Sequence, residues 1–413
     1  MIGVVTPAAF LHSFSAPSKA EADFIDVVSA TGSTLTARDG STYLDAMAGL
    51  WYCQVGFGRT DMVDAIVHQL RDLAVYHTFD PFTNSVAAEA AELIASKSPH
   101  PDGRVFLACS GSEAVDTALK LTRMVQQRRG HAGKQVIVRR THGYHGTNFG
   151  GTTAQGIEAN RDGWGDLVPH FIEVPNDDVE AMASVFAEHG DRIAAVITEP
   201  VQGAGGVHPP VDGYFTALRR LCDRHDSLLV FDEVICGFGR TGEWFAAQTF
   251  DVRPDLMCFA KGVTSGYQPL SGVIMSAEVG ADLSEPHGQM LRTGYTYSGH
   301  PAACAAAIAN IGIIESEGLA ARAVHIGEQL QTGFDALAGD GLIASSRGVG
   351  AVRAIDLGRE SPPVRDALLD RGVVTRPIGD ALAFCPPLVM TDAEIGRIIE
   401  TLHEVLSAHT GER

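Results

Sequence analysis

Lysine is scarce in this chain: there are five (Lys19, Lys97, Lys120, Lys134 and Lys261) against 26 arginines. So few amines make each one worth placing. Positive charge as a whole is short, with 31 basic against 50 acidic side chains and a net charge of −19. Such a surface repels phosphate backbones, which argues against a nucleic-acid partner. No apolar run approaches the roughly 18 residues of a membrane span. The longest candidate, 301–314, is alanine-rich and reads as a buried helix. The first residues carry no basic segment ahead of an apolar stretch, so no secretory leader is expected and the expected location is the cytoplasm. The seven cysteines are scattered and form no CxxC pair, against both a disulfide framework and a metal site. With 45% apolar and 20% charged residues the chain is neither disordered nor collagen-like. Its 413 residues suffice for a large core divided over two or three domains.

What is present is an alternation of helices with short apolar strands. Strands are expected at 104–109, 135–139, 193–198, 227–231, 255–259 and 272–275, with helices such as 113–128 and 213–225 between them. Apolar runs separated by helices predict an α/β fold, a mostly parallel sheet with helices on both faces. Before it, residues 34–44 alternate around Asp39-Gly40, a type I′ hairpin signal. The expected division is an N-terminal arm and hairpin (1–56), a large domain (57–302) and a C-terminal region (303–413). The hairpin and the C-terminal region together would make a smaller α+β domain.

In open parallel sheets ligands collect at the carboxyl ends of strands, so the residues following each strand matter most. Ser110-Gly111-Ser112-Glu113 follows the first strand and fits a capping box, which is either an ordinary helix cap or an anion cradle. His142-Gly143-Tyr144-His145-Gly146 follows the second. Its two histidines lack a third ligand for a metal. Its tyrosine between glycines suits a ring lying over a ligand, or simply a packed turn. Two further strands deliver acids, Glu199 and Asp232, where an unpaired buried charge would be costly. Gly237, Gly239 and Gly242 match GxGxxG, but no acid ends a second strand at the spacing a dinucleotide site requires. Lys261 is the lysine at the end of an apolar strand. Desolvation there lowers an amine's pKa and frees it as a nucleophile toward aldehydes. An anion cradle, a stacking tyrosine, a strand-end aspartate and a buried lysine describe one ligand, pyridoxal phosphate.

At these residues the chain resembles the class III (ω-) aminotransferases, of fold type I among pyridoxal-phosphate enzymes, from about Tyr43 to Pro387. The most specific stretches are FDEVICGFGRTGEW, beginning at Phe231, and PDLMCFAKGVTSGYQPL, beginning at Pro254. The resemblance implies a Schiff base on Lys261 and an ion pair from Asp232 to the pyridine nitrogen. It implies Tyr144 on one ring face and Val234 on the other, with Ser110, Gly111 and Ser112 at the phosphate and Glu199 nearby. Tyr295 and Thr296 resemble the pair whose threonine reaches the phosphate of a neighbouring subunit, which implies a homodimer or a dimer of dimers. Trp51 resembles a pocket-lining tryptophan. Arg376 resembles a mobile arginine that binds substrate carboxylates. The GxGxxG segment becomes a structural turn. Ala204 stands where ornithine-type relatives place a glutamate, against that substrate.

The activity implied is ping-pong transfer of an amino group from an amine or ω-amino acid to a 2-oxo acid such as pyruvate. The alternatives are a mutase or decarboxylase of the same fold, or a catalytically silent cofactor-binding scaffold.

Overall fold

A computed structural model describes residues 9–285 and 289–408. Seven strands form the central sheet, in the spatial order Arg104–Ala108, Ser271–Met275, Leu256–Phe259, Leu228–Asp232, Ile193–Thr198, Val136–Arg140 and Phe171–Val174. Ser271–Met275 runs antiparallel to both of its neighbours. The other six point one way. Every residue of Ile193–Thr198 and Leu228–Asp232 is buried, which is why these strands read as unbroken apolar runs and not as alternation.

Successive side chains leave the sheet on opposite faces. Val196, Leu229 and Phe231 pack into a core with the helices Ser85–Lys97, Tyr214–Arg224 and Pro301–Ser316. Ile197, Leu228 and Val230 pack instead against Ala114, Val115 and Ala118 of the helix Gly111–Arg128. Helices on both faces of a mostly parallel sheet are the expected α/β arrangement. Phe171–Val174 is an additional strand. It lies at the sheet edge, only Val174 in it is buried, and so it carries little apolar signal.

An antiparallel sheet of Ser345–Val349, Val352–Asp356, Ala381–Phe384 and Arg376–Ile378 forms in the C-terminal region. The N-terminal strands Val27–Thr31, Thr34–Ala37 and Thr42–Asp45 are joined by Val373–Val374, which pairs in parallel with Leu44 and Asp45. The hairpin is present, but its turn is not type I′. Gly40 alone takes a left-handed φ of +88°, and its N–H donates to Ala37 O at 3.0 Å. Type I′ needs that conformation at two residues. Asp39 instead accepts from the Ser41 N–H at 2.9 Å, and Ala37 N donates to Ser41 O at 2.9 Å across the loop.

Because six strands share a direction, their carboxyl ends share one edge. That edge carries Ser110, the loop His142–His145, Glu199, Asp232 and Lys261. A cleft of about 330 Å³ at the opposite edge is lined by His100, Arg219, Arg253 and Asp255. Its Arg219 pairs with Asp255 at 2.7 Å and with Asp223 at 2.8 Å.

Candidate active site

Asp232 ends its strand almost fully enclosed. Its Oδ2 lies 2.8 Å from His145 Nδ1, and its Oδ1 accepts from the Val234 N–H at 3.1 Å. His145 is just as buried, and its Nε2 has no partner among the described residues. Glu199 accepts from the Tyr144 N–H at 2.8 Å and the Gly203 N–H at 3.0 Å. One side chain thus joins the loops after two neighbouring strands. Burial pushes its carboxyl up to about 7, against the pull of His145, while Asp232 raises it further.

Lys261 follows the strand Leu256–Phe259 in a short 3₁₀ turn, at a left-handed φ of +49°. Its amine is held below the ordinary lysine range by desolvation, opposed by the charges of Asp232 and Glu199. Arg376 lies close enough to Lys261 to lower it further. Arg376 itself is half-buried, with its pKa drawn down by desolvation and partly restored by Tyr144. Among the described residues it forms no ion pair. The structure therefore brings Asp232, Glu199, Lys261, Tyr144 and Arg376 into one electrostatic neighbourhood.

At the other end of this edge, Ser110 caps the helix Gly111–Arg128: its hydroxyl accepts from the Glu113 N–H at 3.2 Å. Glu113 returns the bond to Ser110 N at 3.3 Å, completing the capping box. The hydroxyl of Ser110 is thereby occupied, and the N–H groups of Gly111 and Ser112 lie in the first turn, where no intrahelical acceptor exists. Ser112 Oγ accepts from the Thr147 N–H at 3.0 Å, tying the helix start to the loop that carries Tyr144. Val234 sits against Gly111, where an added Cβ would fall 3.2 Å from Val234 Cγ1.

Three further sequence-predicted residues have these surroundings. Trp51 is only 2% exposed and packs in a cluster with Val201, Val207 and Ile235. Its ring lies against the loop that follows Glu199. Tyr295 has its hydroxyl committed to Glu113 O at 3.1 Å and Thr117 Oγ1 at 3.0 Å. It anchors a turn, closed by Ser298 N donating to Tyr295 O at 3.0 Å, on whose exposed tip Thr296 lies.

A model of the family "Aminotransferase class-III" matches residues 15–406. The chain belongs to the class III aminotransferases. It is 35% identical to the putrescine–pyruvate aminotransferase of Pseudomonas aeruginosa, over 92% of this chain and 90% of that protein. It is 36% identical to the omega-aminotransferase of Caulobacter vibrioides, over 92% of each. An amine transaminase from an uncultivated Pseudomonas species, solved in its PLP-bound form, superposes with a TM-score of 0.93 at 31% identity, covering 98% of this chain and 99% of that one.

Class III aminotransferases depend on pyridoxal phosphate, and the residues present fit it. Two unpartnered N–H groups at a helix start suit its phosphate. Val234, whose side chain comes closest to Gly111 at this helix start, supplies an apolar surface for a ring. A buried carboxylate and an amine with a lowered pKa face the same space. Buried polar atoms without partners lie alongside: His145 Nε2 and Gln202 Oε1. Neither His145 nor Gln202 is a site residue by sequence reasoning. His145 stood out only as half of a possible metal pair, and among the described residues no cluster of metal-binding side chains exists. Gln202 carried no signal beyond its place three residues after Glu199.

Proposed function

We propose that this aminotransferase moves an amino group from an amine or ω-amino acid to a 2-oxo acid such as pyruvate, in two half-reactions at one site. The observation that carries the reading is Arg376: a half-buried guanidinium without an ion pair among the described residues, beside Tyr144 and within electrostatic reach of Lys261. A desolvated cation of this kind is a receptor for a carboxylate. Relatives named for pyruvate as acceptor, with putrescine, β-alanine or taurine as donor, support the same choice.

Pyridoxal phosphate, when bound, supplies an aldehyde and a ring that accepts carbanion electrons. The chain supplies the rest. Lys261 would hold the aldehyde and, as a free amine, would serve as the general base at the substrate carbon. Its lowered pKa keeps a neutral amine available for both tasks. Asp232, steadied by His145, holds a proton on the ring nitrogen. Tyr144 and Val234 enclose the ring, with Glu199 fixing the Tyr144 backbone. Gly111 and Ser112 bind the phosphate through their N–H groups, in a turn shaped by the Ser110 cap. Thr296 reaches the phosphate of a second copy, with Tyr295 as the anchor of its turn. Trp51 backs the pocket wall from the core.

The working unit in this reading is a homodimer of the division 1–56, 57–302 and 303–413. Seven free cysteines and an acidic surface suit the cytoplasm. No single helix among the described residues is long and apolar enough to cross a membrane.

The test is absorbance. Adding an amine donor to the purified protein should bleach the visible band of the lysine-bound cofactor, and adding pyruvate should restore it with formation of alanine. A bleached band that pyruvate leaves unchanged, or released CO₂, would exclude transamination of this type.

A further inference from the structure

The helix Pro301–Ser316 buries alanines, isoleucines and a cysteine, and among them one polar residue, Asn310, which is fully enclosed. Its Nδ2 donates to Gly262 O at 2.8 Å and to Val263 O at 3.0 Å. Its Oδ1 accepts from Ser265 Oγ at 2.6 Å. Ser265 Oγ in turn accepts from the Val55 N–H at 3.2 Å. Both carbonyls held by Asn310 belong to the residues directly after Lys261.

This turn needs holding. Lys261 and Ser265 take left-handed φ values of +49° and +50°, a region that side chains other than glycine avoid. On the other side the Gln54 amide lies so close to Gly262 that a Cβ there would fall 2.0 Å from Nε2. The turn is therefore walled by Gln54 and pinned by Asn310. A buried amide on an apolar helix face costs stability unless its hydrogen bonds are made. Here both of its donor hydrogens and its oxygen are used.

We propose that Asn310 is a positioning residue for Lys261: by pinning the carbonyls of Gly262 and Val263 it fixes the backbone from which the amine is aimed at Asp232 and Glu199. Without it the turn can relax toward the right-handed region, which swings the Cα–Cβ bond of Lys261 and carries the amine off its line. The role rests on Lys261 being the cofactor lysine.

Asn310→Leu keeps the volume and removes all three bonds. Misplacement of a reacting group by about 1 Å costs up to about 100-fold, so the half-reaction with an amine donor should slow by about 10- to 100-fold. The KM for that donor should change by less than about threefold, because the donor's binding groups are intact. Two further readouts separate positioning from mere stability. In the holoenzyme, the pH midpoint of the visible cofactor band should move by about half a unit or more, since the environment of the amine changes. In the cofactor-free protein, the rate of trapping pyridoxal phosphate, fixed by borohydride and mapped to a peptide, should fall by a similar factor. Wild-type half-reaction rate and midpoint in Asn310→Leu would overturn the proposal. Should that variant not fold, Asn310→Ser decides. Its side chain is too short to reach the carbonyls of Gly262 and Val263, and an unchanged midpoint and trapping rate there would equally overturn the proposal. If borohydride marks another lysine in the wild type, it is the assignment of Lys261 that fails instead.

Discussion

Asp232 and His145 meet at 2.8 Å inside the protein, with the histidine's other nitrogen left without a partner among the described residues. A carboxylate fixed in this way cannot turn from its place, and its second oxygen is held by the Val234 N–H. Replacing His145→Phe should slow each half-reaction by roughly tenfold, the worth of about 1.5 kcal/mol for a hydrogen bond to a charged group. Asp232→Asn should slow it more severely, since a neutral amide cannot stabilise a protonated ring nitrogen. Stopped-flow absorbance orders the two, and a histidine variant as slow as the asparagine variant would contradict the division of roles.

Lys261→Ala should abolish multiple turnover while leaving the fold intact by circular dichroism. The Lys261 amine is held down by burial, and it stands on the strand-end edge that also carries Asp232 and Glu199. Lys134, also buried, gives its amine to the carbonyls of Gly190, Ile193 and His225 and is structural. Sustained turnover in the purified Lys261 variant would reassign the nucleophile.

Arg376→Ala should lower kcat/KM for pyruvate or 2-oxoglutarate by about 10- to 150-fold, from about 1.5–3 kcal/mol for a charge-assisted pair. The half-reaction with a simple amine should change much less. An equal loss in both half-reactions would make Arg376 structural. Arg139 and Arg140 could not replace it: they already pair with Glu173 at 3.1 Å and Asp177 at 2.5 Å.

Stability should fall as the solution turns alkaline. Burial pushes Glu233 from its ordinary 4.5 up to about 8, although it accepts from Ala247 N at 2.7 Å and Ala246 N at 3.0 Å. Between those values the folded chain keeps a proton that the unfolded chain releases. Its contribution is therefore full below about pH 4.5 and lost as pH rises through about 8. Glu199, raised to about 7, acts in the same sense. Guanidinium midpoints at about pH 5 and about pH 8.5 should diverge more for wild type than for Glu233→Gln. Equal divergence would remove Glu233 as a source.

The parts of this molecule that sequence could reveal are those where chemistry and burial are local. Ile193–Thr198 is legible because all six residues are buried, and the capping box of Ser110 and Glu113 because both partners lie within one turn. Lys261 was legible from scarcity. Contacts between distant segments were not. His145 acquires its meaning from Asp232, and Tyr295 from Glu113 and Thr117, on other elements. The packing of Trp51 against Val201 and Val207 likewise joins segments far apart in the chain.

The parallel pairing of Val373 with Leu44 fixes the order in which the chain can be completed. During synthesis the N-terminal hairpin emerges first, yet the strand that closes its sheet leaves the ribosome only after every strand of the central sheet. Until then the edge at Thr42–Asp45 stays unpaired, able to template association with another nascent chain. A truncation before residue 373 would make that waiting state permanent, and its product should aggregate even though the large parallel sheet lies wholly upstream.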